Sequence, residues 1–335
     1  MGIKACRKGK KCPIIMNSIE LVSKTIRGEN PGRTPVYAWL RENLTEQLNE
    51  AFGSVEAFED KYEFDMSHIF GAINPFWGDI LSLMEKEEEI TPDMLLDLKL
   101  SSPDNIDDYN DIAKSIEFYA KDRGRFCYVQ TPGFFECYNA VFGIENHLMY
   151  LALYPDEIAE LYSRQVKWTN TYAEHCIELG AHMIHISDDW GSQNSLMFSP
   201  EMFKDLILPY HKQVADFVKS KGAFLSLHSD GCINSVLDDI VDTGFDVIHP
   251  YQETANMSYD NYLKNYSDKF GILGGVCVQS TLGFNEYDRL ESEIKRVFSL
   301  LKGQRFMSCT THFVQDHCSV EELVFAYDLI SKLRQ

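Results

Sequence analysis

Four short clusters in the second half of the chain hold most of the side chains able to do chemistry. The first is Ser187-Asp188-Asp189-Trp190-Gly191-Ser192-Gln193. Two adjacent carboxylates after an apolar segment cannot both point into the same space. One of them faces a site, where Asp188 or Asp189 could contact substrate or move a proton, and the other supports the loop. The plainer role for either is a turn cap, which Asp favours. The second cluster is Leu227-His228-Ser229-Asp230-Gly231. An imidazole and a carboxylate two residues apart can reach one metal ion or one substrate. Zinc takes such nitrogen and oxygen donors, usually with a third ligand from a distant segment. A hydrogen-bonded core histidine followed by a helix-capping aspartate would read the same way.

The third cluster is His249-Pro250-Tyr251-Gln252-Glu253, followed after one more apolar segment by Gly274-Gly275-Val276-Cys277-Val278-Gln279. Paired glycines let a backbone come close to a ligand. Cys277 could be a thiolate ligand, although a lone cysteine more often behaves as a small buried hydrophobe. The fourth is Cys309-Thr310-Thr311-His312-Phe313-Val314-Gln315-Asp316-His317-Cys318. It holds two histidines and two cysteines, and composition alone does not choose a metal ligand among them. Upstream, Gly133-Phe134-Phe135-Glu136 sets adjacent aromatics and an acid beside an apolar segment. They suit an apolar cover over a pocket, or ordinary packing of a loop on the core.

These clusters need a scaffold that brings distant segments together. Beyond about residue 120, short apolar segments alternate with long amphipathic ones. Residues 126–130, 182–187, 223–227, 246–249, 270–273 and 305–308 are nearly continuous apolar runs, as in parallel strands covered on both faces. Residues 34–39 read as a first strand and 63–66 as a second. The intervening helices have legible ends. Pro155-Asp156-Glu157 opens one that stops at Gly180, and Ser199-Pro200-Glu201 opens the next, which stops at Gly222. Further helices fit 234–241, 285–301 and 320–333, and Asn17-Ser18-Ile19-Glu20 starts one near the beginning. The charged run Glu85-Lys86-Glu87-Glu88-Glu89 reads as a solvated helix before an exposed loop. A β-α succession of this length implies a parallel sheet with helices outside. Polar residues close nearly every strand, which favours a closed (β/α)8 TIM barrel with an N-terminal helical extension. A nucleotide-binding open sheet is disfavoured, because no glycine-rich phosphate loop follows the first strand.

Composition bounds the rest. The 335 residues are 44% hydrophobic and 13% aromatic, enough for a sizeable core. A net charge of -20 argues against nucleic acid and polybasic membrane binding. No apolar run approaches the roughly 20 residues that span a bilayer. Nine scattered cysteines and the lack of a secretory signal suit free thiols in a reducing cytoplasm. Residues 1–15, basic and holding Cys6 and Cys12, read as a flexible leader, with residues 16–335 as one domain.

The order of several motifs resembles the uroporphyrinogen decarboxylase superfamily. They are Asp188-Asp189-Trp190-Gly191-Ser192-Gln193, Phe198-Ser199-Pro200-Glu201-Met202-Phe203, Leu208-Pro209-Tyr210-His211-Lys212 and His228-Ser229-Asp230-Gly231. Gly274-Gly275 with Gln279, His312-Phe313-Val314-Gln315 and the opening Arg27-Gly28-Glu29-Asn30-Pro31-Gly32-Arg33-Thr34-Pro35-Val36 extend the likeness over nearly everything from Met16 onward. The resemblance implies a (β/α)8 barrel and one of two chemistries. True decarboxylases act on a tetrapyrrole without metal and hold its carboxylates with an arginine motif near the start. The matching stretch here, Val36-Tyr37-Ala38-Trp39-Leu40-Arg41-Glu42, has no arginine pair, and a polycarboxylate needs such cations. The other branch comprises methyltransferases that work with corrinoid proteins.

In the zinc-binding methyltransferases a His-x-Cys pair and a later Cys hold the metal. By that resemblance the pair falls on His228 and Asp230 and the later ligand near His312, with Cys277 in reserve. The expected thiolates are thus replaced by harder donors, suited to polarising an ether or amine. The resemblance implies zinc, a corrinoid carried on a separate protein, and a methyl group moved from a small methylated substrate to that corrinoid protein, or from it to an acceptor. Asp188 or Asp189 would act on that substrate, and Phe134, Phe135, Glu136, Trp190, Gln193 and Gln252 would bind it. Metal-free decarboxylation and a non-catalytic ligand-binding barrel stand as alternatives. A homodimer is a candidate assembly, since barrel enzymes often pair.

Overall fold

Seven parallel strands run in the order β1 to β7, each paired with the next. They are β1 (Met66–Ile69), β2 (Phe126–Pro132), β3 (Met183–Ser187), β4 (Phe224–His228), β5 (Val247–His249), β6 (Gly271–Val276) and β7 (Phe306–Thr310). The computed structural model describes residues 16–71 and 73–335; the leader proposed for residues 1–15, with Cys6 and Cys12, lies outside the described residues. The strands are almost wholly buried, as continuous apolar runs between a packed interior and outer helices require.

Residues 34–39 close the sheet. Ser308 N donates to Pro35 O at 2.9 Å and Tyr37 N to Ser308 O at 2.8 Å, which joins the segment to β7. On its other side Asp65 N donates to Val36 O at 2.8 Å, next to β1. The segment therefore takes the place of an eighth stave, as its apolar pattern suggests. Its regular pairing is confined to the Val36–Ser308 bridge. Pro35 has no N–H to give to a ladder, so an extended ribbon forms here without a full strand.

The outer helices follow the sequence signals. Pro155–Leu179 begins with a first-turn proline and two acids and ends at Gly180, whose φ of +116° suits a residue without Cβ. It buries Ile158, Leu161, Tyr162, Gln165, Val166, Thr169, Tyr172, Ala173 and Cys176, spaced three and four apart as one stripe. Three expectations need correction. The helix opened by Ser199 is two helices, Pro200–Leu206 and Leu208–Ser220, because Pro209 removes one hydrogen bond and opens a new first turn. The run 85–89 forms turns after helix Asp79–Met84. Clustered glutamates repel one another and oppose the negative end of a helix dipole. The second strand also lies a few residues later than expected, at Met66–Ile69.

The closing segment is clamped from below by Asp65, which is fully buried. Its carboxylate accepts both guanidinium N–H groups of Arg33 at 2.7 and 2.8 Å, the Ser18 hydroxyl at 2.7 Å and Val36 N at 3.0 Å. It also pairs with Arg334, itself buried, at the end of the last helix, Val320–Leu333. One carboxylate thus ties the first helix, the closing ribbon, β1 and the C-terminus. Asp65→Ala would leave the Arg334 charge buried without its partner. It is expected to cost about 3–5 kcal/mol in urea denaturation; a loss under about 1 kcal/mol would show that the clamp does not hold the ring.

Candidate functional site

Barrel interiors are usually filled by branched aliphatic side chains. Here the layer nearest the C-terminal mouth is built of rings. His68 comes from β1, His185 from β3, His228 from β4 and His249 from β5, while His312 lies just past β7. Five of the chain's ten histidines therefore meet in one place. Trp39, from the closing segment, sits among them, with ring centroids 5.0 Å from His68 and His312 and 5.7 Å from His228 and His249. Burial, reinforced by the neighbouring rings, pushes His68, His185 and His249 well below the ordinary imidazole value. Burial, then His312 and His68, brings His228 down to about 3. These rings are neutral at physiological pH, the form in which imidazole binds metal.

His228, Asp230 and His312 each offer a donor atom, and the three atoms lie within 4.8 Å of one another. The donors come from β4 and from the loop after β7, across the ring, so closure of the sheet is what makes them neighbours. The Oδ1 atom of Asp230 is buried and has no hydrogen-bond partner. Burial, then Asp189, pushes the Asp230 carboxyl up to about 7. Asp189 accepts Asp230 N at 2.8 Å and lies 3.7 Å from Nε2 of His228. A carboxylate with one unpaired buried oxygen, grouped with two imidazoles and with a second acid close by, is a surrounding that a dication would relieve. The donor set fits zinc in type and number, with room for a further ligand. Gly231 lets the two loops cross: its φ is +80°, and a Cβ there would stand 2.4 Å from the Gly191 carbonyl oxygen.

A cavity of about 440 Å³ opens between the ends of β1, β2 and β3, walled by Phe70, Phe76, Trp77, Gln130, Glu136 and Ser187; none of the three donors lines it, and Ser187 of its wall stands in register with His228. Glu136 is held at this wall. Its Oε2 accepts the Ser187 hydroxyl at 2.9 Å, and its backbone N donates to Asp188 at 2.7 Å. Burial, then Asp189 and Asp188, pushes the Glu136 carboxyl up to about 7.

The other residues singled out in the sequence fall elsewhere. Asp188 is fully buried and accepts from Phe134 N, Glu136 N, Trp190 Nε1 and His211 Nε2 at 2.7–3.2 Å. With its lone pairs engaged it organises the β2 and β3 loops rather than meeting substrate. Trp190, Phe134 and Phe135 are core residues. Trp190 packs on Phe203 and His211, Phe134 on Tyr162 and His211, and Phe135 on His147 and Phe198. Aromatics of that size are drawn inward by the area they bury. Gln193 is exposed and donates to Thr254 O. Gln252 is buried, and its Oε1 accepts Gly231 N at 3.1 Å, which steadies the β4 turn. Cys277 accepts from the Ser280 hydroxyl at 3.2 Å and joins neither group of three donors found among the described residues. Sequence reasoning missed Trp39, Phe70, His68 and His185. The two histidines had a signal, a polar residue inside a strand otherwise buried on both faces.

The family model for uroporphyrinogen decarboxylase (URO-D) matches residues 135–330. The chain belongs to the uroporphyrinogen decarboxylase family. Two curated relatives, each named methylcobamide:CoM methyltransferase MtaA, come from Methanosarcina barkeri, one of them from strain Fusaro / DSM 804. They are 26% and 25% identical over 124 residues, which cover 37% of this chain and 34% of each relative. The match thus spans about a third of the length of those relatives. A solved methyltransferase from Methanosarcina mazei superposes with a TM-score of 0.70 over 94% of this chain and 98% of its own, at 14% identity. That likeness establishes the barrel fold. Within this URO-D family member, no helix among the described residues is long and apolar enough to cross a membrane.

The elevated Glu136 carboxyl has a consequence for stability. Its folded value, about 7, lies above its ordinary 4.5, so its contribution is fully present below pH 4.5 and is lost as pH rises through 7. Glu136→Gln cannot titrate. In metal-free protein the variant is expected to gain on wild type between pH 5 and pH 8, by on the order of 3 kcal/mol at most, in urea denaturation. A difference that does not change with pH would contradict this.

Proposed function

We propose that this URO-D family member is a methyltransferase that takes a methyl group from a small methylated substrate, an ether or amine, to a corrinoid carried on a separate protein. The reading rests above all on Asp230. Its carboxylate offers an oxygen to a group with donor nitrogens of His228 and His312, and its Oδ1 is buried without a hydrogen-bond partner. Zinc held by these three residues would supply a Lewis acid that polarises the substrate heteroatom, and the partner's corrinoid would take the methyl group.

The chain's own residues supply positioning and protons. Phe70, Phe76 and Trp77 offer an apolar wall for the body of the substrate. Glu136, poised near neutrality and anchored by Ser187, can hold a proton at the cavity for a departing oxygen or nitrogen. Asp189 fixes the β4 loop through Asp230 N. The MtaA relatives, named for methyl transfer from a methylcobamide, support this branch. Tetrapyrrole decarboxylation fits less well. Glu136 walls the cavity, and no lysine or arginine is among the described residues that do, so a polycarboxylate would meet an acid there and no cation.

The test is methylation of cob(I)alamin by zinc-loaded protein with a panel of methyl ethers and methylamines, followed by absorbance. His228→Ala and Asp230→Ala are expected to lose bound zinc and at least about 100-fold in rate. Full methyl transfer by a metal-free His228→Ala protein, or metal-free turnover of uroporphyrinogen by the wild type, would overturn the proposal.

A further inference from the structure

We infer that His249 is a positioning residue: it accepts the Nδ1–H of His228 and so presents the Nε2 lone pair of His228 to the barrel mouth. The inference rests on the donor set proposed above. Nδ1 of His228 and Nδ1 of His249 are 2.7 Å apart, and Nε2 of His249 is 3.1 Å from the Thr310 carbonyl oxygen. A carbonyl oxygen can only accept, so His249 carries its proton on Nε2. One proton lies between the two Nδ1 atoms. Were it also on His249, that ring would be a cation, 2% exposed and without a carboxylate partner in its hydrogen bonds, a state that burial penalises heavily. The proton therefore belongs to His228, and Nε2 of His228 is left as an acceptor. The 3.7 Å from that nitrogen to Asp189 Oδ1 is too long for a hydrogen bond, so the lone pair has no donor or acceptor to satisfy there.

The same geometry decides between two ways of gathering donors. His185, His228 and His249 also place donor atoms within 4.8 Å of one another. Two imidazole nitrogens on one tetrahedral zinc stand about 3.3 Å apart, given Zn–N near 2.05 Å. The 2.7 Å between His228 and His249 is a hydrogen-bond length instead. Nδ1 of His185 is likewise taken, 2.6 Å from the Ser226 hydroxyl. Two of the buried trio thus form a relay from the Thr310 carbonyl through His249 to His228, while His185 is held by Ser226. Thr310 lies two residues before His312, so one stretch of chain sets the tautomer of one ligand and carries another. Metal-bound histidines ordinarily donate their second N–H to a carboxylate, carbonyl or water; here an imidazole nitrogen takes that part.

Two measurements test the inference. Long-range ¹H–¹⁵N spectra of metal-free wild type are expected to show His228 protonated at Nδ1 and His249 at Nε2. Chelator competition is expected to show zinc bound about 10–100-fold more weakly by His249→Phe, which puts an aromatic ring without nitrogens in place of the imidazole. His249→Gln, which keeps an acceptor and a donor, is expected to recover most of that affinity. A proton on Nε2 of His228 in the wild type would overturn the inference, as would a folded His249→Phe protein that binds zinc like wild type. Should the variants fail to fold, the wild-type spectrum decides alone. Wild type with the stated tautomers but no zinc affinity would remove the metal reading and leave the positioning of His228 standing.

Discussion

Closure of the sheet by an extended ribbon that is barely a strand is the constraint on which the rest depends. Seven parallel strands alone would leave two edges with unpaired backbone groups. Residues 34–39 satisfy groups on both edges, and the Asp65 carboxylate holds the ribbon against the first and last helices. Only in a closed ring does the loop after β7 stand across from the end of β4, so that His312 meets His228 and Asp230. The same ribbon carries Trp39 into the mouth, where it packs against both of those histidines.

The electrostatics of the mouth follow from what the ring buries there. Neutral imidazoles fill the upper layer, and burial and one another's charge push the carboxyls of Glu136, Asp189 and Asp230 above their ordinary values. One cation, Arg41, lies over the Phe70 and Phe313 rings and adds to burial in lowering His68 and His312. Asp188 shows the contrast. Four donors compensate its charge, and it serves as a fixed strut. Asp230 has an oxygen with no partner at all. Adjacent aspartates in the β3 loop have likewise separated, with Asp188 turned into the core and Asp189 toward the β4 loop.

Much of this was legible in the sequence because it depends on local rules. Continuous apolar runs gave most strands within a residue or two, and the prolines, serines and glycines at 155, 180, 199 and 244 sit at the helix ends that the structure shows. The convergence of His228, Asp230 and His312 was legible only through the barrel and the family motifs, since no local signal ties residues 84 positions apart. The roles of Phe134, Phe135 and Trp190 were not. An aromatic near a strand end reads alike whether it covers a pocket or the core, and tertiary packing decides. His68 was lost because Glu63 and Phe64 drew the second strand too early, and His185 because a histidine within an apolar run resembles a tolerated exception.

The central claim is that imidazole and carboxylate from opposite sides of the ring share one metal. X-ray absorption at the zinc edge of the zinc-loaded protein addresses it most directly. A first shell of nitrogen and oxygen alone, at about 2.0–2.1 Å with imidazole scattering beyond it, is the expected result. A sulfur shell at about 2.3 Å would place a thiolate such as Cys277 on the metal and contradict the site.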